Sequence, residues 1–360
     1  HECTNTERWL PPRLLPSPCI PTLQASLLEK NIDLYQENIS QMAAWEVNGK
    51  VALVTGAGSG INHALTRALL ESGCSVVMAD LRLRPEAEDT LKKYPHPPPK
   101  PGNASAIFHQ TDLTDWSQIN KLWDAALETF ERVNLLINGA GIYDPPFSDF
   151  WNPPGISPLS RDQADAKVGM YQAYAINTIA PVRLAQIAIE YWLRPENRHL
   201  SGNILWIASM AGYVHGLITP FYYSSKAAVV SMCKSLGSLN KIAGIRNAAI
   251  CPGVVDTPIF HASYSRERVH ADDLMLSADE VVNVAISAIC DPKYGDGNII
   301  EVFCGGTNED HKVTVRDVPL ESLYDAEGMK GLAAGTHILD KQDELEQKLK
   351  TRGLEFPPKI

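Results

Sequence analysis

The sequence predicts an α/β protein with a doubly wound, parallel sheet of seven strands in a single domain. From Lys50 to Phe303, short apolar runs alternate with segments that carry apolar residues at helical spacing. Strands that alternate with helices form parallel sheets covered on both faces. The centres of the runs are fully apolar, as expected of strands buried on both sides.

The first predicted element is the strand Val51–Thr55, which leads at once through glycines into a helical pattern. The second strand, Ser75–Ala79, ends at Asp80, and the third, Ala106–Gln110, ends near Asp112. Both carboxylates therefore follow strand ends, where sheets of this kind bind their ligands.

The remaining elements continue the alternation. Behind the expected N-cap Asp115, apolar residues recur at helical spacing as far as Phe130. The later strands are Val133–Ile137, Asn203–Ala208, Arg246–Cys251 and Asn298–Phe303, and the helices are Asp115–Glu131, Ala173–Tyr191, Phe221–Ile242 and Ala278–Cys290. This order predicts a Rossmann-type domain.

The domain is expected to span residues 48–305, between an N-terminal extension at 1–47 and a C-terminal extension at 306–360. The C-terminal extension carries one charged helical stretch, Asp340–Lys350. Within the domain, residues 143–168 form an expected surface insertion. Residues 254–276 form a polar loop over the expected substrate pocket. An apolar lining could come from Phe147, Trp151, Tyr213 and Phe260, with packing within a loop as the alternative for each.

The net charge of -10 argues against a nucleic-acid partner and against binding to an anionic membrane surface. No apolar run approaches the ~20 residues that span a bilayer, and the start lacks the apolar core of a secretory signal. The seven cysteines have no metal-ligand or CxxC spacing. We therefore expect reduced thiols, no metal and a cytoplasmic protein.

A glycine-rich turn follows the first strand. Such a turn brings the backbone close to a pyrophosphate, and the free N–H groups of the next helix bind its charge. A sharp turn without a ligand is the alternative. The candidate phosphate-binding residues are Gly56, Ser59, Gly60 and Ile61.

Asp80 is the candidate that selects the cofactor. A carboxylate at this strand end can accept hydrogen bonds from the adenosine ribose hydroxyls, and it repels a 2′-phosphate, so NAD is favoured over NADP. Arg82 and Arg84 lie close by and could receive a 2′-phosphate, so NADP stays open.

Tyr222 and Lys226 are four residues apart and share one face of a predicted helix. A nearby ammonium lowers a phenol pKa, which would make Tyr222 a general acid or base. Ser209 ends the preceding strand, where its hydroxyl could bind a substrate oxygen. An exposed helix face and a simple turn are the ordinary alternatives. Tyr223 points a quarter-turn away and is a poorer candidate.

These pieces together resemble the short-chain dehydrogenase/reductase family in its single-domain form. The resemblance covers about residues 48–305 in order and spacing. It is carried by Thr55-Gly56…Gly60, Asn138-Gly139-Ala140-Gly141, Asn177, Ser209, Tyr222…Lys226 and Pro252-Gly253…Thr257. Two positions depart from the family pattern: Asn62 replaces the third glycine of the turn, and Gly139 replaces the second asparagine of NNAG.

The resemblance implies a role for each matched residue. Tyr222 would donate a proton to the carbinol oxygen or accept one from it. Lys226 would lower the pKa of Tyr222 and hold the nicotinamide ribose. Ser209 would orient the substrate oxygen, and Asn177 would help to hold a proton-relay water. The further cofactor contacts that it implies are Asp112, Leu113, Ile61, Asn138, Ala140, Val255 and Thr257.

The implied activity is hydride transfer between NAD(H) and a secondary alcohol or ketone, with a hydrophobic secondary metabolite as the expected substrate. The segment Asp256–Phe260 and the tail are similar to fungal NAD-dependent members, near 15-hydroxyprostaglandin and hydroxyaverantin dehydrogenases. The same fold could instead serve a dehydratase, epimerase or cyclase without net redox chemistry. A non-enzymatic scaffold would lack the Tyr or the Lys, and both are present.

Two predicted helices, Ala173–Tyr191 and Phe221–Ile242, carry more apolar surface than one sheet face requires. In the family that the sequence resembles, the corresponding helices pair between subunits. We therefore expect a homodimer or homotetramer with a small-molecule substrate as its other partner.

Overall fold

A central sheet of eight strands organises the molecule, in a computed structural model that describes residues 44–270, 273–307, 310–319 and 333–351. The strand order is β3-β2-β1-β4-β5-β6-β7-β8, and β1 to β7 are parallel. The strands are β1 (Val51–Thr55), β2 (Ser75–Asp80), β3 (Ala106–Gln110), β4 (Leu135–Asn138), β5 (Asn203–Ile207), β6 (Arg246–Pro252), β7 (Asp296–Gly306) and β8 (His311–Asp317). The predicted doubly wound parallel sheet is confirmed.

Helices cover both faces of this sheet. A turn at Gln172–Tyr174 and a π-helical segment at Ala175–Ile179 lead directly into α4. The α-helices are α1 (Gly60–Glu71), α2 (Pro85–Lys93), α3 (Trp116–Phe130), α4 (Ala180–Leu193), α5 (Pro220–Ser235), α6 (Leu239–Ala243), α7 (Ser263–Arg266), α8 (Ala278–Cys290) and α9 (Ala333–Thr351).

Successive residues of the central strands belong to two different cores. Leu53 and Leu136 pack in the core that contains α3, α4 and α5, whereas Val54 and Ile137 pack in the core that contains α1 and α8. All four side chains are fully buried. Successive side chains of a strand point to opposite faces of the sheet, and both faces are covered by helices. The residues on either face are therefore apolar, which explains why the strands are apolar throughout.

The helix predicted over Phe221–Ile242 is in fact two helices. A side chain at Gly237 would lie 2.6 Å from the carbonyl oxygen of Asp296, so only glycine allows the chain to pass this close to the start of β7. The helix accordingly ends at Ser235, and α6 begins at Leu239.

The sheet continues past the predicted domain end at residue 305, because β8 pairs antiparallel with β7. The charged stretch expected at Asp340–Lys350 lies within α9. Of the expected N-terminal extension, only residues 44–47 are described. Trp45 packs there in the core and its indole donates to the Ser201 carbonyl oxygen at 2.9 Å.

Within the described ranges, no helix has the length and apolar character needed to cross a membrane. The same residues hold no group of three or more His, Cys, Asp or Glu that could bind a metal ion. Five cysteines are described as free thiols, of which Cys74, Cys233 and Cys251 are buried. Cys3 and Cys19 lie outside the described residues.

Candidate active site

A cavity of about 640 Å³ opens at the carboxyl ends of the strands, on both sides of the β1/β4 point where the strand order reverses. Sheets of this topology bind ligands at that point. The predicted residues that line the cavity are Gly56, Ser59, Gly60, Ile61, Asp80, Asp112, Leu113, Ala140, Ser209, Tyr222, Lys226, Val255 and Thr257.

The glycine turn is tied to the end of β2. The Gly58 amide donates to Asp80 Oδ2 at 2.9 Å. A Cβ atom at Gly58 would lie 2.3 Å from the Arg82 carbonyl oxygen, so only glycine lets the two loops approach this closely. Gly58 also lines the cavity and is a site residue that the sequence reasoning missed, although it stands within the quoted turn.

Thr55 joins the ends of β1 and β4. Its hydroxyl accepts hydrogen bonds from the amides of Gly139 at 3.0 Å and Ala140 at 3.2 Å, and it donates to the Ile137 carbonyl oxygen at 3.2 Å. The hydroxyl thus fixes the backbone that follows β4, where Gly139 and Ala140 line the cavity.

The two departures from the family pattern contact each other. Asn62 Nδ2 donates to the Gly139 carbonyl oxygen at 2.8 Å. A Cβ atom at Gly139 would lie only 2.1 Å from Asn62 Oδ1. The asparagine side chain at position 62 therefore occupies the space that a side chain at position 139 would need.

Asn138, an expected cofactor contact, does not line the cavity. Its side chain is 4% exposed, and Nδ2 donates to the Pro181 carbonyl oxygen in the first turn of α4 at 3.2 Å. The side chain therefore points away from the cavity, and the expected contact of Asn138 with the cofactor stays a prediction. Gly139 and Ala140, which follow, do line the cavity.

Asn177 lies in the π-helical segment and is buried. Its Oδ1 accepts from the Ile142 amide at 2.8 Å, and its Nδ2 donates to the Ile142 carbonyl oxygen at 2.9 Å and to Ser225 Oγ at 3.0 Å. The side chain does not line the cavity. It fastens the helix to the loop after β4 and to α5, so a role in holding a relay water stays a prediction.

Ser209, Tyr222 and Lys226 meet on one wall of the cavity. Ser209 follows β5, and its hydroxyl accepts from the Ala211 amide at 3.1 Å. Lys226 is buried, and its Nζ donates to the Ile207 carbonyl oxygen at 2.8 Å and lies 5.7 Å from the centre of the Tyr222 ring. The end of β5 thus positions both the serine and the lysine.

Burial dominates the protonation of this wall. It raises the pKa of Tyr222 to about 12, against the opposing effect of a hydrogen bond with Ser209, and it lowers the pKa of Lys226 to about 8. Desolvation penalises both charged forms, so the net shift of the Tyr222 pKa is upward, and the lowering of this pKa by Lys226 stays a prediction. Tyr222 is therefore a neutral phenol at neutral pH.

Asp144 supports the tyrosine helix from its N-terminal end. Its Oδ2 accepts from the Phe221 amide at 3.1 Å, which satisfies a donor of the first turn of α5. Burial first, and then the Asp149 charge, raises the pKa of Asp144 to about 7. The Tyr143 ring packs edge-on against the Tyr222 ring at a centroid distance of 4.7 Å.

Of four aromatic residues suggested by their place in the loops, only Phe260 lines the cavity. Tyr213 turns away and donates to Glu301 Oε1 at 2.8 Å, and the Trp151 indole donates to the Leu217 carbonyl oxygen at 2.9 Å. Phe147 packs beneath Arg161. Lining residues that the sequence reasoning did not select include Tyr143, Ile176, Met210, Val214 and Tyr264. Tyr143 and Met210 each stand just after a strand-end motif, and this position could have indicated that they line the cavity.

Comparisons with known proteins agree with this geometry. A family model described as short chain dehydrogenase matches residues 50–268. A 1-deoxy-11-beta-hydroxypentalenate dehydrogenase of Streptomyces exfoliatus is 26% identical over 268 residues, which cover 74% of this chain and 86% of that protein. The 15-hydroxyprostaglandin dehydrogenase [NAD(+)] of Rattus norvegicus is 28% identical over 227 residues, covering 62% and 74%.

A solved structure has the same fold. The 3-ketoacyl-(acyl-carrier-protein) reductase from Brucella melitensis, complexed with NADH, superposes with a TM-score of 0.56 and 23% identity, covering 71% of this chain and 97% of that one. The family model covers more than half of the chain and includes the glycine turn and the Ser209, Tyr222 and Lys226 wall. This chain therefore belongs to the short chain dehydrogenase family and is an oxidoreductase.

Proposed function

We propose that the protein transfers hydride between NAD(H) and a hydrophobic secondary alcohol or ketone, with Tyr222 as general acid and base. The observation that carries the proposal is the shared cavity, which is lined both by the Ser209, Tyr222 and Lys226 wall and by a glycine turn hydrogen-bonded to the Asp80 carboxylate. A nicotinamide dinucleotide, when bound, would supply or accept the hydride there.

The residues present fit such a dinucleotide. The glycine turn leaves the N-terminal end of α1 open to the cavity, as a pyrophosphate requires. Asp80 lines the cavity while each of its oxygens faces a backbone amide, Gly58 at 2.9 Å and Arg82 at 3.4 Å. A carboxylate accepts several hydrogen bonds and can also receive the ribose hydroxyls of NAD.

The cofactor preference follows from the sign of this charge. A negative group at the ribose end disfavours the 2′-phosphate of NADP. Arg82 and Arg84 also line the cavity and offer the opposite sign. The Asp80 carboxylate is anchored at the turn, and relatives support NAD, since the rat enzyme's name includes NAD(+) and the Brucella structure holds NADH.

Tyr222 is suited to donate its proton to a carbonyl oxygen. Its hydroxyl stays protonated at neutral pH because burial raises its pKa to about 12. Ser209 lies on the same wall of the cavity and can share the substrate oxygen. For alcohol oxidation the proton moves the other way, and a cationic Lys226 nearby stabilises the phenolate that receives it.

The substrate end of the cavity is apolar. Aromatic and aliphatic side chains surround the Ser209, Tyr222 and Lys226 wall. Apart from Lys226, the charged lining residues lie at the other end, beside the ends of β2 and β3; they are Asp80, Arg82, Arg84 and Asp112. The apolar members are Ile142, Tyr143, Ile176, Met210, Val214, Ile259, Phe260 and Tyr264. Such a lining favours a hydrophobic hydroxylated compound. The Streptomyces and rat relatives are each named as dehydrogenases of a hydroxylated compound.

The test is a panel of hydrophobic secondary alcohols and ketones, followed by absorbance at 340 nm with NAD(H). Tyr222→Phe should lower kcat by roughly 10²- to 10⁴-fold, the usual contribution of general acid–base catalysis. Tyr223→Phe, one residue away in the same cavity, is the matched comparison and should lose far less. Full turnover by Tyr222→Phe would contradict the proposed role.

A further inference from the structure

We propose that Asn62 is a positioning residue of the dinucleotide site and that Asn62 and Gly139 form one coupled unit. The proposal rests on the proposed function, since the dinucleotide is the ligand that the unit positions. Asn62 lies in the first turn of α1, and Gly139 directly follows β4. Both residues line the cavity.

The Asn62 amide bars a side chain at position 139. A Cβ atom there would lie 2.1 Å from Asn62 Oδ1 and 2.6 Å from Nδ2, and its three nearest heavy atoms all belong to Asn62. The backbone of Gly139 lies outside the left-handed region that favours glycine. Its backbone conformation is therefore one that alanine can adopt, and the nearest obstacle to a Cβ atom is the Asn62 amide.

The contact completes a clamp around the peptide groups of Gly139. Asn62 Nδ2 binds the Gly139 carbonyl oxygen, while Thr55 Oγ1 binds the Gly139 and Ala140 amides. The end of β1, the first turn of α1 and the end of β4 are thereby joined. Gly139, Ala140 and Gly141 line the cavity, so the clamp holds a binding surface in place before the ligand arrives.

The oxygen of the Asn62 amide makes it possible to distinguish a positioning role from a contribution to the stability of the free protein. Asn62 Oδ1 is buried and has no hydrogen-bond partner among the described residues. A buried acceptor without a partner costs stability. Removing the amide should therefore change the stability of the free protein little, because this gain offsets the lost bond to Gly139, while the binding surface loosens.

The experiment is a double-mutant cycle of Asn62→Ala, Gly139→Ala and the double variant. Tm of the free protein and the NADH Kd, from fluorescence titration, are measured for each. Gly139→Ala alone should lower Tm by roughly 2–10 °C through overpacking and should weaken NADH binding. Asn62→Ala should keep Tm within about 2 °C of the original, yet raise the NADH Kd roughly 3- to 10-fold.

The double variant decides the coupling. It should recover the Tm of Asn62→Ala and bind NADH no worse than that single variant. Gly169→Ala is the matched glycine control, since nothing lies within 4 Å of its added Cβ, and the exposed Asn283→Ala is the asparagine control. If Gly139→Ala does not fold, folding of the double variant still supports the coupling.

Three outcomes would overturn parts of the proposal. Equal effects of Gly139→Ala with and without Asn62, or a double variant that also fails to fold, would exclude the coupled unit. Unchanged NADH binding by Asn62→Ala would exclude its positioning role. If the original protein binds neither NADH nor NADPH while the Tm coupling persists, the proposed function fails and the packing relation stands.

Discussion

Asp80 should control the choice between the two dinucleotides. Asp80→Asn keeps the size of the side chain and its acceptor for the Gly58 amide, but it removes the negative charge. Without that repulsion, and with Arg82 and Arg84 nearby, the NADPH Kd should fall roughly tenfold relative to the NADH Kd. Fluorescence titration with both cofactors measures the ratio.

Asp112→Asn is the matched control for this change, because Asp112 is a second carboxylate in the same cavity but binds the Thr114 amide and hydroxyl. Its ratio should change less. An unchanged ratio in Asp80→Asn would show that the arginines, rather than the carboxylate, govern the selection.

Asp144 should make stability depend on pH. Its folded-state pKa is raised to about 7 from 3.8, so the folded protein keeps a proton that the unfolded chain releases. Its stabilising effect is therefore complete below about pH 3.8 and is lost as the pH rises through about 7, by at most roughly 4 kcal/mol.

Asp144→Asn cannot ionise and should remove this part of the pH dependence. Urea unfolding at intervals between about pH 4 and pH 8 would show a smaller fall in the free energy of unfolding than in the original protein. Asp149 and Arg268 lie nearby, with Arg268 4.0 Å from Asp149, and their charges modulate the same window. Parallel pH curves for both proteins would contradict the assignment.

At the residue scale, positions along the chain predicted which residues form the Ser209, Tyr222 and Lys226 wall. The direction of the Asn138 side chain and the pKa of Tyr222 depend instead on packing. Ser209 stands at a strand end and Tyr222 and Lys226 one helical turn apart, so local spacing brings them together. The Asn138 side chain is directed by its hydrogen bond to the Pro181 carbonyl oxygen of α4, a contact that the local sequence around Asn138 does not predict. The Tyr222 pKa depends on burial by residues far along the chain.

At the scale of elements, β7 and β8 together hold the loop that follows Ser209. Glu301 on β7 is fully buried and accepts from the Tyr213 hydroxyl at 2.8 Å, while Arg316 on β8 pairs with its other oxygen. Tyr213 directly follows the turn that Ser209 caps. The last strand is thus connected to the loop after Ser209 through one carboxylate.

Tyr213→Phe should therefore destabilise the fold by about 1–3 kcal/mol, because the buried Glu301 carboxylate loses a donor. Urea unfolding measures the change, and Tyr94→Phe, with a partly exposed ring beside Lys93, is the matched control. If both substitutions cost the same, the buried carboxylate does not depend on Tyr213.

Elements with a buried apolar pattern could be predicted, whereas α2 and β8, which are largely exposed, could not. The seven parallel strands carry apolar centres, which made them visible in the sequence. By contrast α2 buries only Ala87 and Thr90, and most of β8 is exposed, so neither shows a clear period. The break before α6 depends on the approach of β7 to Gly237, a contact between distant segments.

For the whole molecule, a homodimer or homotetramer stays a prediction. Sedimentation equilibrium should give two or four times the monomer mass. Ser231→Glu would place a charge on the outward face of α5 and should shift the mass towards the monomer, since an interface excludes an unpaired charge. A strict monomer of the original chain would contradict the prediction.

The matched variant is Leu217→Glu, because large exposed apolar side chains of the described residues cluster elsewhere, at 150–171 and 214–218. The Trp151 bond to the Leu217 carbonyl oxygen joins these two segments. If Leu217→Glu separates the subunits and Ser231→Glu does not, the interface lies on this surface and not on α5.

The last strand also changes what the far edge of the sheet offers to other chains. Without β8, the eleven-residue β7, with its buried Ile300 and Val302, would present unpaired amides and carbonyls that invite strand addition and aggregation. With β8 in place, the outermost strand is mostly exposed and carries Lys312, Arg316 and Asp317. Removing residue 311 and all residues after it should therefore produce a protein that self-associates through the exposed edge of β7.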